Sequence, residues 1–283
     1  MGRKIVAMPL IPGKVKQGRS RVRWDLSHAS YSQATWKWWC AQRGIDFVAF
    51  DQPLGGMGYA HMPPTIQRWF IPELLIRQHG TDTRIAIVDA DTMVRWDAPD
   101  IFEEAHGFSA VRGSDASWIA RCIRAFQRFF PDVSLPWWEC FNAGVVVLGE
   151  PQLDAIRAFV TFAARRWPEL NSLILSGKLG TDQTPLNFML RRENVPVHFL
   201  PRPFNFVHCF PMDPILMSIE MSRVPDENVF AEKAFSRPWT FEFVELGYIW
   251  HFNNVIALRR LVMQETWRRV RHNYPGADVA DAS

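Results

Sequence analysis

Residues 85–92 read Ile85-Ala86-Ile87-Val88-Asp89-Ala90-Asp91-Thr92. Four consecutive apolar residues, three of them β-branched, read as a buried strand. The strand runs into two carboxylates one residue apart. Ligands of open α/β sheets bind at the carboxyl ends of the strands, so the pair stands where a site is expected. Carboxylates this close repel each other, and a divalent cation relieves the repulsion. Oxygen donors favour Mg²⁺ or Mn²⁺, which also hold phosphate oxygens. The stretch therefore predicts a metal–diphosphate site; taken alone, its alternative is a solvated acidic turn.

On either side, strands and helices alternate. Lys4–Leu10 and Ile45–Phe50 read as strands, and Ser30–Arg43 as a helix that Gly44 stops. Pro12–Arg23 reads as a basic loop. Gly55-Gly56-Met57-Gly58 is a flexible loop without the spacing of a dinucleotide fingerprint. Thr65–Gln78 is a predicted helix, capped by Gly80. Further on come a short strand at Phe108–Val111, a helix over Trp118–Phe130 and a buried strand at Val145–Leu148. A helix over Gln152–Trp167 follows, with Pro151 in its first turn and Ile156, Phe159, Val160, Ala163 and Trp167 as its apolar stripe. Thr184 is placed to cap a helix beginning at Pro185, and Val197–Leu200 is a late strand. Residues 211–240 read as a mobile loop. The alternation predicts an α/β fold with a doubly wound, mostly parallel sheet. The length of 283 residues fits one domain over 1–274 with a flexible tail over 275–283.

The Asp-x-Asp strand has company. Arg68-Trp69-Phe70-Ile71-Pro72-Glu73-Leu74-Leu75 leads into it, and Phe141-Asn142-Ala143-Gly144 follows. Gly180-Thr181-Asp182-Gln183 and Trp250-His251-Phe252 come later. This order, spanning residues 68 to 252, resembles the GT-A glycosyltransferases, in particular the family-8 type that uses nucleotide sugars. The resemblance implies a GT-A fold: a Rossmann-like single domain whose mostly parallel central sheet is flanked by helices. It implies Asp89, Asp91 and His251 as ligands of Mn²⁺ (or Mg²⁺), imidazole favouring Mn²⁺. It also implies that Arg68, Asp89, Asn142, Asp182 and Gln183 bind the donor, a UDP-sugar such as UDP-glucose, with Asp182 and Gln183 in the catalytic role. Transfer with retention of anomeric configuration, without a separate general base, goes with the family. Were the route inverting, Glu139 and Asp182 are the candidate bases. The sequence departs from the family after His251: the Gly and Lys expected there are absent from His251-Phe252-Asn253-Asn254-Val255-Ile256. Arg259, Arg260 or the 12–23 segment are candidates to supply the missing charge.

The residue types suit these roles. Carboxylates and amides hydrogen-bond sugar hydroxyls at fixed angles, and a helix N-terminus beside Asp182 and Gln183 presents backbone N–H groups. Arg68 has Pro64, Thr65, Ile71 and Pro72 at helical spacing, so no acid lies along its own helix to pair with it.

Net charge is +3, and its distribution is uneven. Arg3, Lys4, Lys14, Lys16, Arg19, Arg21 and Arg23 crowd residues 1–23 without an acid, and Arg259, Arg260, Arg268, Arg269 and Arg271 face a single Glu265. Such segments suit phosphates. Together with 13 Trp, they favour DNA as acceptor, a hydroxymethylated pyrimidine base as in phage DNA-base glycosyltransferases. The alternative acceptor is a bacterial surface glycan or small metabolite. The rival chemistry is a haloacid-dehalogenase-like phosphatase with Asp89 as nucleophile, but Met93 stands where that pattern wants Thr or Val. A non-catalytic binding module is the remaining reading. Cys40, Cys122, Cys140 and Cys209 form no C-x-x-C pair and read as reduced, buried thiols. No run approaches the ~18 apolar residues of a membrane span, so the expected location is the cytoplasm, that of the host cell for a phage enzyme.

Overall fold

The structure, a computed structural model, describes residues 2–12, 14–17, 20–23, 26–56, 59, 62–177, 179–207, 209, 241–253 and 258–279. The stretch 211–240, expected as a loop, lies outside the described residues, as do 280–283 of the expected tail. In chain order the elements are β1 (Lys4–Pro9), β2 (Lys14–Gln17), β3 (Ser20–Arg23), α1 (Ala29–Ala41), β4 (Asp46–Phe50), α2 (Pro64–Gln67) and α3 (Ile71–His79). They continue with β5 (Arg84–Val88), β6 (Thr92–Val94), α4 (Ile101–Glu104), β7 (Phe108–Arg112), α5 (Ala116–Phe126) and β8 (Phe141–Leu148). Then come α6 (Leu153–Gly177), α7 (Gln183–Arg192), β9 (Val197–Leu200), α8 (Phe243–Leu246), β10 (Ile249–His251) and α9 (Arg259–Val270). These elements fold as two compact units. One is Met1–Trp24, Ile45–Val88 and Asp100–Pro201; the other is Asp25–Gly44, Asp89–Pro99 and Arg202–Ser283.

The first unit is built on a six-stranded sheet in the order β4-β1-β5-β8-β7-β9. β1 pairs in parallel with β4 and β5, and β7 with β9, while β8 runs antiparallel to both its neighbours. The sheet is thus mostly parallel, as the strand–helix alternation predicts. Ile85, Ala86, Ile87 and Val88 have no solvent exposure, the condition of a strand covered on both faces. On one face Ile5, Ile85, Ile87, Phe108 and Phe141 pack against Leu75 of α3, Ile119 and Phe126 of α5, the predicted stripe of α6, and Leu186 and Phe188 of α7.

Several boundaries differ from expectation, each for a local reason. The 65–78 helix is interrupted by a 3₁₀ turn at Arg68–Phe70, because Pro72 has no N–H to give the Arg68 carbonyl. Helix α6 runs on through Pro168 to Gly177. The proline removes one hydrogen bond, and burial of Leu170 and Ile174 outweighs that loss. Helix α7 begins at Gln183 with Asp182 in the N-cap position, displacing Thr184 from that role. Within the segment expected as a loop, the described residues form two strands: β2 and β3 pair antiparallel, Lys14 opposite Arg23 and Lys16 opposite Arg21.

In the second unit β6 and β10 pair antiparallel, with Ile249 opposite Val94, Trp250 opposite Met93 and His251 opposite Thr92. Met93, Phe243, Trp250, Phe252, Val262, Met263 and Tyr274 form the core. Tyr274 is its hub: the rings of Trp38, Trp96 and Trp267 surround it, and its hydroxyl donates to Val94 O at 2.6 Å. Trp36 Nε1 donates to Thr92 Oγ1 and Trp39 Nε1 to Ala98 O, each at 3.0 Å. Much of the unusual tryptophan content is therefore packing, with each buried indole N–H satisfied. All four cysteines are buried and outside disulfides, as expected. No described helix is long and apolar enough to cross a membrane.

Candidate functional site

Strand β5 ends at Val88, and the chain then turns within four residues. Thr92 N and Thr92 Oγ1 both donate to Asp89 O, at 3.1 and 2.7 Å. Ser32 Oγ donates to Ala90 O at 2.6 Å, and Phe252 N to Asp91 O at 2.9 Å. Every backbone group named here is pinned by a neighbour in the second unit, so the two carboxylates are carried on a fixed turn. The β6–β10 register then sets His251 beside them. Side-chain oxygens of Asp89 and Asp91 and one imidazole nitrogen lie within 4.8 Å of one another.

His251 is only 2% exposed. Its Nδ1 stands 2.9 Å from Asn205 Oδ1. Asn205 offers an acceptor there, so Nδ1 carries a proton and Nε2 is the nitrogen turned toward the carboxylates. That Nε2 faces Asp91 Oδ1 at 3.4 Å and Asp89 Oδ2 at 3.6 Å. It has no hydrogen-bond partner among the described residues. A buried imidazole nitrogen without a hydrogen-bond partner, set between two carboxylates, is an arrangement a divalent cation completes by taking the place of a proton. Donors about 2.1 Å from one ion stand about 3 Å apart at right angles and about 4 Å apart in line, and both distances fall between. The residues present therefore fit a divalent ion, and one nitrogen beside two oxygens suits Mn²⁺.

Cations already press on this centre. Arg259 Nη2 lies 2.9 Å from Asp91 Oδ2. Burial works to raise the Asp91 pKa, but the charges of His251, Arg259 and His28 outweigh it and hold this carboxyl well below the usual range. Asn205, His28 and the Asp91-paired role of Arg259 escaped the sequence reading. Asn205 and His28 lie in no motif, and only the fold brings them to the turn.

The other predicted residues gather in the first unit. Arg68 and Asp182 are buried together. Arg68 Nε and Nη2 both donate to Asp182 Oδ2, at 2.9 and 2.6 Å, and Trp69 Nε1 donates to the same oxygen at 2.9 Å. The partner that Arg68 lacks along its own helix is thus supplied from the start of α7. Asp182 does not cap α7 through its side chain, because that side chain is committed to Arg68 and Trp69. Gln183 Oε1 accepts from Ala143 N at 3.2 Å, and Asn142 Oδ1 from Gly144 N at 2.8 Å. Asn187 Oδ1 accepts from Phe141 N at 3.0 Å. The bonds to Gln183 and Asn187 tie the start of β8 to α7, while that of Asn142 is local to the strand. The basic segment after β10 is partly neutralised, since Arg268 and Arg269 both pair with Glu265.

No family model matches the sequence, and no curated protein does either. Solved structures do. A glycosyltransferase involved in glycosylation of the major capsid of PBCV-1 matches over 93% of this chain and 99% of its own, at 12% identity and a TM-score of 0.50. The glycosyltransferase GlyE of Streptococcus pneumoniae TIGR4 matches over 95% of this chain and 65% of its own, at 15% identity and a TM-score of 0.43. Mouse xyloside xylosyltransferase 1 matches over 90% and 98%, at 13% identity and a TM-score of 0.43. The first likeness carries the fold. The α/β arrangement of a mostly parallel sheet flanked by helices, implied by the GT-A resemblance, is the one this chain adopts.

Proposed function

We propose that the protein transfers a sugar from a nucleotide diphosphate-sugar, with UDP as the nucleotide, to an acceptor hydroxyl. The observation that carries this reading is the orphaned Nε2 of His251 facing Asp89 and Asp91 at a strand end. A divalent ion bound there would supply positive charge to the leaving diphosphate. Asp89, Asp91 and His251 would hold it, and Asn205 keeps the proton on Nδ1 so that Nε2 is the ligating nitrogen. Asp182 and Gln183 take the catalytic role at the donor sugar, with Arg68 and Asn142 as further donor contacts. Arg68 and Trp69 fix the orientation of the Asp182 carboxylate. The proposed outcome is retention of configuration, the leaving phosphate accepting the acceptor proton.

The acceptor we propose is a hydroxymethylated pyrimidine in DNA. The observation favouring it is the register of β2 and β3, which sets Lys14 against Arg23 and Lys16 against Arg21. A segment this rich in Lys and Arg suits an anionic backbone. Trp137 and Trp138, 44% and 53% exposed, offer aromatic faces for an extruded base. The test is incubation with Mn²⁺ and labelled UDP-glucose against hydroxymethylcytosine DNA and, separately, cell-envelope extract. Mass spectrometry then reads the digested nucleosides. A glycosylated nucleoside is expected. Transfer to envelope glycan alone would remove the DNA acceptor and leave sugar transfer standing.

A further inference from the structure

Arg259 sits oddly. It opens helix α9, whose first turn holds no acid, at the positive end of the helix dipole where a cation is disfavoured. It is held there by two acceptors: Asp91 Oδ2 at 2.9 Å and the Phe252 carbonyl oxygen, to which Nε donates at 3.2 Å. The same Asp91 offers its other oxygen toward His251 Nε2. One carboxylate is therefore divided between an arginine of the chain and the position that a divalent ion would take. The guanidinium on Asp91 lowers the negative charge that attracts the ion and repels the ion directly.

We propose that Arg259 is a built-in counter-ion that competes with the divalent metal for Asp91 and passes to the donor's diphosphate when metal and nucleotide bind together. The inference rests on the metal–diphosphate reading above and deepens it. A guanidinium displaced from a carboxylate needs another anion with paired oxygens, and a diphosphate offers that geometry. The consequence is weak binding of the bare ion and strong binding of the ion with nucleotide diphosphate. The departure from the family after His251 then has a physical sense here: the chain keeps a cation near the diphosphate, but stores it on a metal ligand.

The test is calorimetry on the full chain, first with Mn²⁺ alone, then with UDP at saturating Mn²⁺. Arg259→Gln removes the competing charge, so Mn²⁺ alone should bind several-fold more tightly, while UDP with Mn²⁺ should bind roughly tenfold more weakly, as loss of a charge-assisted contact implies. Arg259→Lys keeps the charge and should leave bare Mn²⁺ affinity near that of the unaltered chain. Opposite signs for the two ligands cannot come from a general loosening of the fold, which weakens both. Mn²⁺ affinity that is unchanged or lower in Arg259→Gln, or shifts of the same sign for Mn²⁺ and UDP, would overturn the proposal. Asp91→Asn separates the two ideas. If it leaves Mn²⁺ binding intact, the metal reading itself fails; if it abolishes binding while Arg259→Gln changes nothing, only the counter-ion role fails.

Discussion

Arg68 and Asp182 stand 114 positions apart in the chain and form a buried ion pair, their side chains 5% and 7% exposed, with Nε and Nη2 donating to the same carboxylate oxygen. Removing one partner leaves the other charged and desolvated. Asp182→Ala should therefore cost about 3–5 kcal/mol of stability in urea unfolding, and replacing both, as Arg68→Met with Asp182→Leu, should recover much of it. An Asp182→Ala protein as stable as the original would mean the pair is not formed.

Gly247 precedes β10 closely. A Cβ added there would meet Trp250 Cδ1 at 2.8 Å and Phe206 Cβ at 2.9 Å. Phe206 O accepts from His251 N, so the strain is delivered to the strand that carries the proposed ligand His251. Gly247→Ala should cost about 1–3 kcal/mol and weaken Mn²⁺ binding at the same time. A lowered melting temperature with unaltered Mn²⁺ affinity would show that His251 is positioned by other contacts.

Asn205→Ala removes the acceptor that fixes the His251 ring. Loss of such an outer partner costs about 10–100-fold in metal affinity. Calorimetry with Mn²⁺ checks it, and affinity within twofold of the original would count against the tautomer assignment.

Burial pushes the Cys140 thiol up to about 12, with Glu139 adding to the effect. Unfolded, the thiol loses its proton near pH 8.5. Between these values the folded state holds the extra proton, so this contribution is fully present below about pH 8 and declines as pH rises, by at most about 1.4 kcal/mol per pH unit. Urea unfolding from pH 8 to 10.5 should show a shallower decline for Cys140→Ala than for the unaltered chain. Identical slopes would contradict the buried, protonated thiol.

The parts of the fold that could be read from sequence are those with strong one-dimensional patterns. Ile85–Val88 announces a strand buried on both faces, and the α6 stripe announces a helix against a core. The proposed metal ligands were legible as residue types, Asp89 and Asp91 from their spacing and His251 from the order of motifs in the GT-A resemblance. The short pairing of β6 with β10 was not legible, because three residues per strand carry too little periodicity, yet that pairing brings His251 to the turn. The Arg68–Asp182 pair is a tertiary contact between a 3₁₀ turn and a helix start, and no local spacing encodes it. The β2–β3 hairpin was hidden for another reason: its alternation of Lys14, Val15, Lys16 and Gln17 was there, but the density of positive charge reads as a solvated loop.

The most direct test of metal-dependent sugar transfer is the release of UDP from UDP-glucose by the purified chain, followed with Mn²⁺, with EDTA and in Asp91→Asn. Turnover is expected with Mn²⁺, none with EDTA, and a rate lower by several orders of magnitude in Asp91→Asn. Turnover that survives both EDTA and Asp91→Asn, or a folded protein that binds neither Mn²⁺ nor UDP, would contradict it.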